Sequence, residues 1–383
     1  MSVTAAKGFR ASGVAAGLKT SGAPDVAVVV NDGPSDVAAA VFTSNRVKAA
    51  PVLWSEQVIK DGRLRAVVLN SGGANACTGP DGFADTHRAA EHAARALDLG
   101  AADVAVCSTG LIGERLPMPA LLSGVDKAVA ALSEDGGADA AEAIRTTDTR
   151  TKQATVSTNG WTVGGMAKGA GMLAPGLATM LCVLTTDAVT DAATLDRVLR
   201  AASRTTFDRL DSDGCMSTND TVLAMAGGAS GVSPDESELA EAIEQVCRDL
   251  AMQLLADAEG ATKEITIDVT GAASEDDAVE VGRSIARNNL LKCALFGNDP
   301  NWGRVLAAIG TTQASFDPDK IDVMINRVQV CRSGAAGEPR HRVDLTGRQV
   351  HVAVDLHAGE QAATIWTNDL SHGYVEENSA YST

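Results

Sequence analysis

The chain has 383 residues and a mass of 39.2 kDa, enough for two or three compact units. Apolar residues make up 45% and charged residues 21% of the sequence, which argues against a wholly disordered chain and against a fibrous protein. The formal charge of -17 and the scarcity of aromatic residues argue against partners held through phosphates, such as nucleic acid or an anionic membrane surface.

The sequence carries no signal for membrane insertion or for a metal site. No stretch approaches the ~20 apolar residues of a membrane-spanning helix, and the N-terminal segment mixes charges with Gly and Ser. We therefore expect a cytoplasmic protein. The seven cysteines have no C-x-x-C pair and no zinc-finger spacing, which predicts small buried thiols and no bound metal.

Predicted strands and helices alternate along the first part of the chain. Short β-rich runs end in small or polar residues, and between them Ala and Leu recur at helical spacing. In chain order we predict strands at 27–30 and 66–69, a helix at 85–99, a strand at 104–107, a helix at 118–132, a surface loop at 133–141, and a hairpin of strands 154–157 and 161–166 around Asn159-Gly160.

The second part of the chain continues this alternation. The predicted elements are a strand at 179–184, helices at 191–203 and 236–257, and strands at 265–269, 323–330 and 350–356. The pattern is typical of a mixed α/β (α+β) enzyme without internal repeats. Residues 1–178 carry 16 basic and 17 acidic side chains, whereas residues 179–383 carry 16 and 32. Two unlike parts therefore meet near position 178.

A glycine-rich segment, residues 168–178 (KGAGMLAPGLA), lies between two of the predicted strands. Gly169, Gly171 and Ala174 fit the G-x-G-x-x-A form of the dinucleotide-binding motif. That motif needs a helix directly afterwards, however, and here Pro175 and a β-rich run follow. P-loop, G-x-S-x-G and H-E-x-x-H motifs are absent from the sequence. A processed junction remains as the explanation of the segment.

Thr179 directly follows Ala178, at the charge boundary and at the start of a predicted strand. If the chain were cut there, Thr179 would carry a free α-amino group with a pKa of about 7.7–8.0 beside its own hydroxyl. Such an amine can act as the general base for a hydroxyl nucleophile. Taken alone, a threonine that starts a strand is usually structural, because β-branched residues favour strands.

Nine short motifs follow one another over nearly the whole chain. They are AVFTSNR (40–46), NSGGANACTG (70–79), STGLIG (108–113), TTDT (146–149), KGAGMLAPGLATML (168–181), STND (217–220), EGATK (259–263), GNDPNWGR (297–304) and NSAYST (378–383). Together they resemble the ornithine acetyltransferase (glutamate N-acetyltransferase) family of arginine biosynthesis. Gly73, where the family often has Asn, and Cys215, in a loop that is commonly Asp-rich, depart from the pattern outside the predicted catalytic positions.

The resemblance implies a precursor that cuts itself between Ala178 and Thr179. The products would be an α chain of residues 1–178 and a β chain of residues 179–383, interleaved in a two-lobed fold. The implied activity moves acetyl from N2-acetyl-L-ornithine to L-glutamate by a ping-pong mechanism through an acetyl-Thr179 ester.

The resemblance also implies the roles of individual residues. Thr109 and Gly110 would form the oxyanion hole, which stabilises the tetrahedral intermediates of both cleavage and transfer. Lysine is usually solvated and a C-terminal tail usually frays, so a site role for Lys168 and for the tail predicts that both are buried or docked. The implied substrate contacts are Thr147 or its neighbour Thr146, Lys168, Thr179, Glu259, Asn378 and Thr383.

The family assembly would be an α2β2 heterotetramer, and no cofactor is implied. Three alternatives stay open at this point. A bifunctional enzyme would also use acetyl-CoA as donor, and a related self-processing amidase or aminopeptidase would let water hydrolyse the ester. A non-enzymatic acidic binding protein would remain one intact chain, and it would leave the ordered set of motifs unexplained.

Overall fold

The computed structural model describes residues 2–173 and 180–380, which divide into two compact units. Of these residues, unit 1 holds 2–173, 180–208 and 215–257, and unit 2 holds 209–214 and 258–380. The described part of unit 1 consists, in chain order, of β1 (Phe9–Val14), β2 (Val26–Asn31), β3 (Val37–Phe42), α1 (Ala50–Val58), β4 (Ala66–Ser71), α2 (Gly79–Leu97), β5 (Val104–Thr109), α3 (Met118–Ala130), α4 (Gly137–Ala143), β6 (Lys152–Thr158), β7 (Trp161–Lys168), β8 (Leu181–Thr186), α5 (Ala192–Thr205), β9 (Thr221–Ala226) and α6 (Glu236–Ala256).

The strands of unit 1 form two sheets that pack face to face. The first sheet has the order β1-β2-β4-β5 and the second has the order β3-β9-β8-β7-β6. Buried residues of both sheets, among them Phe9, Val29, Met166 and Leu223, share one core with α4. Helices α2 and α3 cover the other face of the first sheet, and α5 and α6 pack on the second. Because both faces of each sheet are covered, strands such as β2 and β8 are buried at every residue.

β8, the strand that follows Thr179, lies in the middle of the second sheet. It pairs antiparallel with β7 and parallel with β9. Strands β3, β6 and β7 come from residues before position 178, and β8 and β9 come from residues after it. One sheet therefore combines strands of both predicted chains, in agreement with the expected interleaving. The boundary between the two compact units does not coincide with the predicted cleavage position.

Unit 2 is built on a mixed six-stranded sheet. In chain order its described elements are β10 (Glu264–Ala272), α7 (Glu275–Ala286), α8 (Asn289–Phe296), α9 (Trp302–Ile309), β11 (Asp322–Ile325), β12 (Val328–Arg332), β13 (Ala335–Ala336), β14 (Gln349–Asp355), β15 (Gln361–Asn368) and α10 (His372–Ala380). The strand order is β13-β12-β11-β14-β10-β15, with β10 and β14 parallel. Apolar residues of α7, α8 and α9 share one core with this sheet.

The mixed α/β class and most of the predicted elements are confirmed, and two local predictions are wrong. Residues 133–141, expected as a surface loop, lead into helix α4, whose Gly and Ala residues pack one side of the helix closely into the core. Residues 323–330, expected as one strand, form the hairpin β11–β12. Its turn places Asn326 and Arg327 at positive φ, which ends the first strand.

None of the seven cysteines, all of which lie in the described part of the chain, forms a disulfide bond, but they differ in exposure. Cys107, Cys182, Cys247 and Cys331 are buried as predicted, and burial raises the pKa of Cys107 to about 12. The prediction is wrong for the other three, which lie at surface positions of loops and of α8: Cys77, Cys215 and Cys293. Among the described residues, no helix is long and apolar enough to span a membrane.

Candidate active site

Thr109 and Gly110, the predicted oxyanion-hole residues, lie at the C-terminal end of β5. The amides of Gly72 and Gly73 both donate to the Thr109 carbonyl at 3.0 Å, so the loop after β4 fixes this strand end. Gly110 has φ +129°, and a Cβ at this position would lie 2.6 Å from the Gly73 nitrogen. Only glycine fits there, so the backbone conformation that orients the Gly110 peptide group requires a residue without a side chain.

Two buried asparagines tie the same strand end to its surroundings. Ser108 Oγ donates to Asn70 Oδ1 at 2.6 Å, and Asn70 Nδ2 donates to the Gly73 carbonyl at 3.1 Å. Asn219 Nδ2 donates to the carbonyls of Ser108 (2.8 Å) and Ala74 (2.6 Å). Each bond is buried, so the position of Thr109 depends on both carboxamides.

Lys168 is the last residue of β7 and is almost completely buried, with 2% exposure. Its Nζ lies 3.4 Å from Thr109 Oγ1, to which it donates a long hydrogen bond. In the sheet it pairs directly with Leu181, two residues beyond Thr179. Unlike most lysines, Lys168 is therefore not solvated, and its buried cation lies beside the predicted oxyanion donor.

Asp148 connects the predicted substrate residues to this lysine. Its carboxylate accepts the Thr146 amide at 3.0 Å and the Gly169 amide at 2.6 Å. Burial alone raises the pKa of Asp148, but the charges of Lys168 and Lys152 and the hydrogen bonds from Lys152 and Gly169 outweigh it and hold the pKa below its usual range. The segment with the half-buried Thr146 and Thr147 is therefore anchored next to Lys168 through an ionised carboxylate.

Lys152 bridges two buried carboxylates, so its mutation should lower the free energy of unfolding strongly. Its Nζ lies 2.6 Å from Asp148 Oδ1 and 2.6 Å from Asp257 Oδ2, and the three side chains are at most 4% exposed. Lys152→Met leaves both acids without this partner, so we expect the free energy of unfolding to fall by about 3–5 kcal/mol in chemical denaturation.

The matched control for this prediction is the exposed pair Lys320–Asp317. Lys320→Met should change the free energy of unfolding by less than about 1 kcal/mol, because water screens the exposed pair. A Lys152→Met variant as stable as the control variant would contradict the structural role assigned to the buried cluster.

The predicted cleavage residues Ala178 and Thr179 lie outside the described residues, and the first described residue after them is Met180. Its amide donates to Asp220 Oδ1 at 3.0 Å, and its carbonyl accepts the Thr221 amide at 3.1 Å. Both backbone polar groups of Met180 are thus fixed, directly after the predicted nucleophile.

Two further predicted contacts lie together in unit 2. Glu259 is buried, and its Oε2 accepts a hydrogen bond of 3.0 Å from Asn378 Nδ2. Asn378 belongs to α10, which packs closely on Gly260: a Cβ there would lie 2.0 Å from the Tyr374 nitrogen. The described part of the C-terminal tail is therefore helical and docked within its unit, whereas Thr383 lies outside the described residues.

The geometry thus brings the predicted residues together in two groups, each within one unit. Thr109, Gly110 and Lys168 form the group in unit 1, next to the segment with Thr146 and Thr147. Glu259 and Asn378 form the group in unit 2. Sequence reasoning assigned no individual role to four residues that occur in the motifs, and their hydrogen bonds assign them positioning roles: Asn70, Asn219, Asp148 and Asp220. Among the described residues, no cluster of His, Cys, Asp or Glu could hold a metal ion.

Comparison with known proteins identifies the family. The sequence model of the ArgJ family matches residues 10–383, and the chain belongs to this family. It is 68% identical, over 100% of both chains, to a Streptomyces avermitilis protein named arginine biosynthesis bifunctional protein ArgJ.

Two solved structures are similar to this chain. A Bacillus halodurans arginine biosynthesis bifunctional protein ArgJ is 35% identical, with a TM-score of 0.50 over 52% of this chain and 98% of that chain. A Mycobacterium tuberculosis ornithine acetyltransferase complexed with ornithine is 61% identical, with a TM-score of 0.45 over 47% of this chain and 96% of that chain.

Proposed function

We propose that this protein is an acetyltransferase of arginine biosynthesis that moves the acetyl group of N2-acetyl-L-ornithine to L-glutamate. The observation that carries the proposal is the buried contact between Lys168 and Thr109, in the same unit as the strand that follows Thr179. A fixed hydroxyl and a buried cation near β8 suit acyl transfer through an oxyanion. Membership of the ArgJ family and the names of the relatives support the same activity.

The proposed first step is self-cleavage. The Thr179 hydroxyl oxygen bonds to the Ala178 carbonyl carbon, the C–N bond breaks, and the nitrogen takes up the proton that the hydroxyl loses. Water then hydrolyses the ester, which leaves a carboxylate on Ala178 and a free amine and hydroxyl on Thr179. Because β7 and β8 are neighbours in one sheet, the two chains would stay in one folded unit.

Acetyl transfer would reuse the same groups. The free amine of Thr179 takes the hydroxyl proton while the oxygen attacks the acetyl carbon of acetylornithine, and the proton passes to the leaving ornithine nitrogen. The glutamate amine then attacks the acetyl-Thr179 ester and restores the hydroxyl. Donors at Thr109 and Gly110 stabilise the oxyanion in both half-reactions.

The substrate contacts remain predictions from the resemblance. The Lys168 cation suits an α-carboxylate or the acetyl oxygen, and the Glu259 carboxylate suits the δ-ammonium of ornithine. Thr146 or Thr147, Asn378 and Thr383 complete the proposed set. We further propose an α2β2 heterotetramer in the cytoplasm and a reaction that needs no cofactor.

A bifunctional form is the second candidate, because the relatives are named bifunctional proteins. Such an enzyme would acetylate Thr179 from acetyl-CoA as well as from acetylornithine. The same ester would then pass its acetyl group to glutamate, so the second donor requires no second nucleophile.

A mixed assay tests the proposal and separates it from its alternatives. The purified protein is incubated with N2-acetyl-L-ornithine and L-glutamate, and we expect ornithine and N-acetylglutamate in equal amounts. A parallel reaction replaces acetylornithine with acetyl-CoA, and N-acetylglutamate formation there would support the bifunctional form. Free acetate without N-acetylglutamate would instead indicate the hydrolase and would refute the transferase.

A further inference from the structure

Asp220 is a buried carboxyl group beside the start of β8, the strand that follows Thr179. The parallel pairing of β8 and β9 starts at Leu181 and Thr221. One residue earlier, the Met180 amide donates to Asp220 Oδ1 at 3.0 Å, so a side-chain oxygen is the acceptor in place of a backbone carbonyl. The Thr221 amide donates to the Met180 carbonyl at 3.1 Å. The side chain of Asp220 thus extends the ladder by one residue toward Thr179.

The second oxygen of Asp220 indicates the charge state of this group. Asp220 has 0% exposure, and its Oδ2 has no hydrogen-bond partner of ordinary geometry among the described residues. An ionised carboxylate in that position would be poorly compensated, whereas a neutral acid costs far less to bury.

The net effect of burial and of the neighbouring groups also favours the neutral form of Asp220. Burial raises the pKa of Asp220 well above its usual value, against the opposing effects of the Met180 amide, the Ser217 hydroxyl and the charge of Lys168, while Asp208 raises it further.

We propose that Asp220, in its neutral form, is the residue that positions the catalytic Thr179, by holding the Met180 amide after the chain is cut. Cleavage turns Thr179 into a chain terminus, and termini fray unless they are tied down. A nucleophile that moves by about 1 Å can lose about 100-fold in rate. Met180 is one peptide unit away, so fixing its amide restricts the new terminus.

The test compares Asp220→Asn with Asp220→Ala in the full-length protein. The asparagine oxygen can accept the Met180 amide, and its NH2 group replaces the carboxyl O–H, so we expect kcat for acetyl transfer within about threefold of the wild type. Alanine removes the acceptor, and we expect kcat to fall about 100-fold. KM should stay within about threefold in both variants, because Asp220 is not among the predicted substrate contacts.

Two kinetic results would overturn the proposal. An Asn variant as slow as the Ala variant would mean that an ionised carboxylate is needed, and an Ala variant as fast as the wild type would mean that Asp220 does not position Thr179. Thermal unfolding of each variant tests whether it is folded. If Asp220→Ala does not fold, Asp220→Asn still decides, because a folded but slow Asn variant contradicts the neutral role.

A second readout does not depend on activity. With 15N-methionine labelling, we expect the Met180 amide to exchange about tenfold faster in Asp220→Ala than in the wild type, relative to Met225 in β9, and to stay protected in Asp220→Asn. Unchanged Met180 exchange in Asp220→Ala overturns the proposal. The kinetic readout rests on the proposed function: if the wild type forms no N-acetylglutamate, that function fails, while the exchange of Met180 still reports on the Asp220 contact.

Discussion

Thr179→Ala should leave the protein as one intact polypeptide of 39.2 kDa that transfers no acetyl group. The variant lacks the hydroxyl that would attack the Ala178 carbonyl, so neither the cut nor the free α-amine can form. Removal of a covalent nucleophile typically costs about 10⁴-fold or more in rate. Denaturing electrophoresis measures the cut, and the assay with acetylornithine and glutamate measures the transfer.

Thr179→Ser is the matched control for this prediction. Serine retains both the hydroxyl and the potential terminal amine, so we expect a cut chain and measurable transfer in this variant. An alanine variant that is still cut into two chains, or that transfers acetyl at the wild-type rate, would exclude Thr179 as the nucleophile.

Thr109→Val should lower kcat for acetyl transfer by about 10²–10³-fold, the usual loss for one oxyanion donor, or about 2.7–4 kcal/mol. Valine has nearly the shape of threonine but lacks the hydroxyl, so the strand end held by Gly72 and Gly73 is preserved. Self-cleavage should slow as well, because it passes through a similar tetrahedral oxyanion.

Thr109→Ser retains the donor and should keep kcat within about tenfold of the wild type. Steady-state kinetics on cut protein separates kcat from KM, and a time course of electrophoresis follows the cleavage. A valine variant with unchanged kcat would show that the Thr109 hydroxyl does not stabilise the oxyanion.

Short-range patterns predicted much of the fold around the site. The apolar runs before Asn70 and Ser108 predicted β4 and β5, because residues buried on both faces of a sheet leave a continuous apolar signal. The Asn159-Gly160 pair predicted the hairpin of β6 and β7, and both residues have positive φ. These features depend on neighbours in the sequence, which is why sequence reasoning found them.

The hydrogen bonds that hold the site residues in place join positions far apart in the sequence, and sequence reasoning could not find them. Asn219 bonds to Ser108 across 111 positions, and Asp220 bonds to Met180 across 40. A single buried Asp or Asn gives no periodic signal, and its partner is known only when the chain is folded. The STND motif placed these residues in the family resemblance without their roles.

The charge step near position 178 gave a partly misleading picture. It suggested two unlike parts that meet at this point, whereas β7 and β8, on opposite sides of it, are neighbours in one sheet. Net charge affects solubility and association and does not decide which strands pair. The burial of Lys168 was likewise expected only through the resemblance, because most lysines are solvated.

The central claim is self-cleavage that creates a terminal Thr179, and the N-terminal sequences of the purified wild-type protein test it most directly. We predict two chains on denaturing electrophoresis, the first comprising residues 1–178 and the second beginning with Thr179, Met180 and Leu181. A single uncut chain, or a second chain that begins at any other residue, would contradict the account.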